Sequence, residues 1–108
     1  MELTNINKEL LDSTREAREL AKQLPILARE VAETEKYYRL QLMREILELK
    51  EQKMPATLIG DIARGRTADL RYKRDLAREY YKATQRTLTT LGDSMSATQS
   101  ILRYQSEV

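Results

Sequence analysis

Along this chain apolar or small side chains recur in steps of four and three residues. Ile6, Leu10, Ser13, Ala17, Leu20, Leu24, Leu27, Val31, Thr34 and Tyr38 hold that spacing, and the stripe continues through Leu42, Ile46 and Leu49 with a local slip of phase. A second series, Ala77, Tyr81, Thr84, Leu88, Leu91, Met95, Thr98 and Leu102, is cleaner, with Leu70 one heptad before it. Steps of 4-3 keep one side of an α-helix apolar and make a coiled-coil-like seam. The pattern therefore predicts a helix over about 5–53 and another over about 67–105. Arg74 falls on a seam position and weakens the second stripe near its start. Pro25 lacks an amide hydrogen and clashes with the preceding turn, so it is expected to kink or divide the first helix.

The chain's few breakers gather at the centre. Pro55 opens, and Gly65 closes, a segment whose Leu58, Ile59 and Ile62 share one face. Proline suits the first position of a helix and glycine the residue after its last, so a short helix over about 55–64 is expected at a tip. Two long amphipathic helices so connected fold back antiparallel, each covering the other's stripe. Folding at residue 59 sets Tyr37-Tyr38 level with Tyr80-Tyr81 and Pro25 opposite Gly92 and Asp93. On that register the tyrosines form one aromatic layer and the breakers one shared bend. The fold class is all-α: a single-domain helical hairpin, expected to assemble into a bundle.

Composition narrows the chemistry. Of 108 residues, 57 are Ala, Glu, Lys, Leu or Arg, the level of a long helix or coiled coil. Cysteine, histidine, tryptophan and phenylalanine are absent. Disulfides, Cys nucleophiles and His-based triads or metal motifs are therefore excluded. Paired carboxylates such as Glu30 and Glu33 share a helix face, but a bundle-type dimetal site also requires Glu-x-x-His. Neither Gly60 nor Gly65 is followed by the Lys-Ser/Thr of a phosphate loop. The expectation is a protein that is not an enzyme, with no metal, cofactor or small-molecule substrate. No stretch reads as a signal peptide or a membrane span, which leads one to expect a cytoplasmic protein without membrane contact.

Charge is near balance over the whole chain, at +2, but not locally. Residues 55–86 hold eight basic and four acidic groups, against small net negative values on either side. Arg64, Arg66, Arg71, Lys73, Arg74 and Arg78 are the candidate nucleic-acid-binding residues. Together they can neutralise several phosphates, with Tyr72, Tyr80 or Tyr81 stacking on unpaired bases. The competing reading is a solvated face, because Asp69, Asp75 and Glu79 interleave at spacings that make intrahelical ion pairs.

One hairpin buries one seam, and so small a chain gains from covering more. Self-association or a partner protein is expected, with Thr84, Leu88, Leu91, Met95, Thr98 and Leu102 as the candidate interface. Between Thr84 and Ser100 only Arg86 and Asp93 are charged and hydroxyl side chains are dense, which permits close helix approach.

Met54-Pro55-Ala56-Thr57-Leu58-Ile59, Asp61-Ile62, Gly65, Leu70-Arg71-Tyr72-Lys73-Arg74-Asp75, Ala77 and Tyr81-Lys82-Ala83 resemble a group of small helical proteins encoded by phages and prophages of Gram-positive bacteria. Those proteins are often encoded among replication and recombination genes. The resemblance spans residues 54–83. It implies an accessory role in phage DNA recombination or replication, in the host cytoplasm, with a partner protein and single-stranded DNA as the expected contacts. The alternative is an oligomeric adaptor, or a small inhibitor of a host or defence protein, with no nucleic-acid contact.

Overall fold

The computed structural model describes residues 2–107. Three helices follow one another: α1, Leu3–Glu51; α2, Ala56–Arg66; and α3, Ala68–Glu107. No strand occurs among the described residues, and the long helices pack as an antiparallel hairpin. No helix among these residues is long and apolar enough to cross a membrane. The predicted stripes are the covered faces. Every α1 stripe position from Ile6 to Leu49 is buried or half-buried, as is every α3 stripe position from Leu70 to Leu102.

The turn lies earlier than the glycines suggest. Gly60 and Gly65 are both helical, and no glycine has positive φ. The chain reverses instead at Gln52–Pro55, where Lys53 takes φ 58°. Met54 N–H donates to the Leu49 carbonyl at 3.1 Å and Lys53 N–H to the Lys50 carbonyl at 3.0 Å. These two bonds are the paired closure of a helix end through a left-handed residue, here a lysine in the place glycine usually takes. Met54 packs beside Leu49, supplying the apolar contact that accompanies such an end. Pro55 is the residue before α2 rather than its first helical residue, and its φ of −54° and ψ of 133° aim the chain into that helix.

Thr67 separates α2 from α3 without ending the run of hydrogen bonds. Thr67 N–H donates to the Ala63 carbonyl at 3.2 Å, and Arg71 N–H to the Thr67 carbonyl at 3.0 Å. The buried Thr67 hydroxyl also donates to the Ala63 carbonyl, at 2.8 Å. Such back-bonding satisfies the buried oxygen and bends helices. Thus α2 is the start of the returning arm rather than a separate cap.

Two compact units divide the chain. In Leu27–Tyr81 the core is Leu49, Ile59 and Ala63, surrounded by Leu42, Ile46, Met54 and Ile62. Of the expected apolar face of α2, Ile59 and Ile62 join this core, while Leu58 stays exposed and Ala63 takes its place. Register is fixed by Arg66 on Glu45 at 3.2 Å, Arg74 over the Tyr38 ring at 4.6 Å and Arg78 on Glu35 at 2.9 Å. Tyr38 therefore meets Arg74 where the symmetric fold point places Tyr80, a difference of six residues. The reason is the early turn at Lys53. A slip close to one seven-residue repeat sets seam against seam again, so periodicity alone does not detect it.

The other unit holds the residues before Leu27 and those after Tyr81. Ile6 and Thr84 are its buried positions, with Leu10, Ala17, Leu20, Leu24, Leu88, Leu91, Met95 and Leu102 half-buried. The Thr14 hydroxyl donates to the Leu10 carbonyl at 2.8 Å and lies 3.5 Å from Met95 Sδ. Counting eleven residues back from Met95 puts Pro25 level with Thr84, not with Gly92 and Asp93, so the expected shared bend does not exist. Helix α1 continues unbroken through Pro25, which does not divide it.

Candidate functional site

The six basic residues singled out from the sequence occupy one stretch of α2 and α3, but most are engaged within the chain. Arg64 pairs with Asp61 one turn earlier. Arg66 reaches across to Glu45, whose side chain is only 17% exposed. Arg71 lies 4.0 Å from Asp75. Arg74 and Arg78 both converge on Glu35, at 3.4 and 2.9 Å, and Arg39 joins from within α1 at 2.6 Å.

Glu35 is thus the centre of a three-arginine cluster that ties α1 to α3. Its carboxyl lies below the usual carboxylate range, chiefly through the Arg39 hydrogen bond and then through the charges of Arg78, Arg39 and Arg74. Asp75 is lowered as well, first by the hydrogen bond from Arg74 and then by the charges of Arg74, Arg71 and Arg78. Arg74 is the most covered of these cations, with its side chain 14% exposed and its guanidinium over Tyr38. A cation on an aromatic face contributes about 0.5–2 kcal/mol, more when shielded from water. The charge that weakens the sequence seam is therefore seated by a carboxylate and a ring. Arg66, Arg74 and Arg78 serve the hairpin. Among the described residues Arg64 pairs with Asp61 and Arg71 with Asp75, each within its own helical arm, and Lys73 is exposed.

Around Lys73 the surface is concave. One groove, of about 270 Å³, is lined by Leu27, Glu30, Lys73, Leu76, Ala77 and Tyr80. Its neighbour, of about 220 Å³, is lined by Glu30, Glu33, Thr34, Tyr37, Leu70 and Lys73. Glu30 and Lys73 form the rim common to both. Tyr37, Leu76 and Tyr80 are 62%, 54% and 57% exposed. Shallow grooves below the usual ligand-pocket range suit side chains of another protein better than a metabolite. Among the described residues no group of three or more His, Cys, Asp or Glu side chains is arranged to hold a metal ion.

The expected interface residues Thr84, Leu88, Leu91, Met95, Thr98 and Leu102 lie on the seam that α3 turns inward, and all are buried or half-buried. A partner approaching from outside meets other residues first. The tyrosines divide as their seam positions dictate. Tyr38 is buried and Tyr81 half-buried, whereas Tyr37, Tyr72 and Tyr80 are exposed. They form no single aromatic layer.

Sequence reasoning missed Glu35 and the groove lining. Glu35 lies three residues before the seam residue Tyr38 and four after Val31, a spacing that already places it at the seam's edge. The groove had a signal in Leu76 and Tyr80, apolar residues at heptad-like spacing outside the first stripe. No protein-family model matches the chain, and no curated protein or solved structure matches it either.

Proposed function

We propose that this chain is a non-enzymatic helical accessory protein that works by docking another protein against the grooves around Lys73. The setting that the resemblance of residues 54–83 implies is phage DNA recombination or replication. The observation carrying this reading is the pair of apolar grooves, open to solvent, with Leu76, Tyr37 and Tyr80 at their edges and Glu30 and Lys73 between them. An exposed apolar patch rimmed by charge is characteristic of protein–protein contact, and aromatic side chains in such patches supply much of the binding energy. The test is affinity capture from cells that encode the chain, comparing wild type with Leu76→Glu and Arg71→Glu. Leu76 is exposed, so the substitution leaves the fold intact. A protein retained by wild type and Arg71→Glu but lost with Leu76→Glu fits the reading. Equal retention by all three contradicts it.

Single-stranded DNA remains a second reading on one observation. Arg71, Tyr72 and Lys73 are consecutive and exposed, and the Arg71–Asp75 contact is long at 4.0 Å. Exposed ion pairs are worth only about 0–1 kcal/mol, so a phosphate displaces such a carboxylate at little cost. Binding through these residues weakens steeply between low and moderate salt and is abolished by Arg71→Glu with Lys73→Glu. Salt-independent binding, or none at low salt, removes this reading.

A further inference from the structure

Helix α1 carries a second run of positions at steps of three and four: Glu33, Lys36, Leu40, Met43, Leu47 and Lys50. All six are exposed, and all belong to the compact unit Leu27–Tyr81. They fall on the side of the helix away from the covered stripe of Tyr38, Leu42, Ile46 and Leu49. Leu40, Met43 and Leu47 are 44%, 60% and 53% exposed. Shallow grooves open along the run, one at Glu33, Lys36 and Leu40 and one at Met43, Leu47 and Lys50. Large apolar side chains on consecutive turns, bounded by charge at both ends, are what one helix offers to another. From Glu33 to Lys50 the run covers about 26 Å at the rise of an α-helix.

Its order is complementary to itself when reversed, with an acid at one end, a base at the other and apolar residues between. We propose that this run is the seam of an antiparallel homodimer, in which α1 of one copy lies along α1 of a second copy across a two-fold axis between Gln41 and Leu42. The contact lies on α1 and does not rest on the docking reading above, although Glu33 also lines one of the grooves around Lys73. Antiparallel knobs-into-holes packing sets alternate seam positions level with one another. The layers are then Leu40 with Met43, Lys36 with Leu47 and Glu33 with Lys50, each occurring twice. A two-fold contact requires one patch to match itself in this way. The aliphatic stem of Lys36 covers Leu47 while its ammonium stays in water.

Charge selects the direction. The antiparallel arrangement closes both ends of the seam with an acid-base layer. A parallel one sets Glu33 against Glu33, Lys36 against Lys36 and Lys50 against Lys50, three like-charge layers that oppose it. Glu33 already accepts a hydrogen bond from Arg29 of its own helix at 2.8 Å, but its side chain stays 58% exposed and open to a second cation. On the flanks the pairs are mixed, Tyr37 with Arg44, Arg39 with Ile46 and Glu30 with Glu51, so the end layers decide.

Sedimentation equilibrium of the full chain, with charge-exchanged variants, tests this. Wild type passes from monomer to dimer as concentration rises. Glu33→Lys alone, or Lys50→Glu alone, puts like charges in both end layers and weakens dimerisation roughly tenfold. The double variant Glu33→Lys with Lys50→Glu restores it. The double variant keeps every effect of the single changes within one helix, so recovery reports the contact between copies. Met43→Glu, at an exposed position outside the hairpin core, places a charge in both central layers and removes the dimer. Circular dichroism shows whether each variant keeps its helices. A wild-type monomer up to the solubility limit overturns the proposal, including the case in which a different protein covers this face. A double variant no tighter than the single ones overturns it too, as does a Met43→Glu variant that dimerises like wild type. None of these results touches the docking reading, which fails separately if Leu76→Glu loses no captured protein.

Discussion

At Lys53 a side chain with a Cβ holds a left-handed backbone conformation that glycine adopts without cost. The helix end needs that conformation, because it lets the Met54 and Lys53 amides reach the Leu49 and Lys50 carbonyls. Lys53→Gly relieves about 1–2 kcal/mol of steric cost and returns part of it as freedom in the unfolded chain. A net gain of about 0.5–1 kcal/mol is expected in urea unfolding. Glu35 makes a second residue-scale prediction. Its carboxyl is held below the ordinary range in the folded hairpin, so the stabilisation is complete above that range and is lost as pH falls through the lowered value. Wild type should lose stability on acidification below about pH 4.3, the unperturbed value. Glu35→Gln should be less stable at pH 7 and show a shallower acid dependence, measured by thermal unfolding across pH.

Among the elements, the helices tolerate residues that the sequence marks as breakers. Gly65 and Gly92 lie inside α2 and α3, and a Cβ added at either meets nothing within 4 Å. Gly65→Ala and Gly92→Ala should each stabilise by about 0.5–1 kcal/mol, since the substitution removes only the backbone entropy cost of glycine in a helix. At Leu49, fully buried among Ile59 and Ala63, truncation to alanine should cost about 2–5 kcal/mol. Both stripes were legible in the sequence because 4-3 spacing states directly which face is covered. The turn was not. Glycine near the centre reads as a stop, yet the hydrogen bonds through Thr67 carry the helical run past it, and the reversal rests on a lysine that no propensity marks. Register inherited that displacement as a slip of close to one heptad. The candidate basic residues were found as a cluster, but their partners Glu45 and Glu35 lie far away in sequence and become visible only when the helices pair.

For the whole molecule, the hairpin employs its covered face and several of its arginines to hold itself together. What remains outward includes the grooves around Lys73, with Tyr37, Leu76 and Tyr80 exposed at their edges. The account therefore assigns protein contact to that side rather than to the arginine-rich tip. Site-specific photo-crosslinking tests this most directly. A benzophenone side chain is placed at Leu76 in one variant and at Arg64 in another, each is irradiated in the cells that encode the chain, and the adducts are identified by mass spectrometry. The account predicts defined protein adducts from position 76 and none from position 64. Adducts from position 64 with none from position 76 would contradict it.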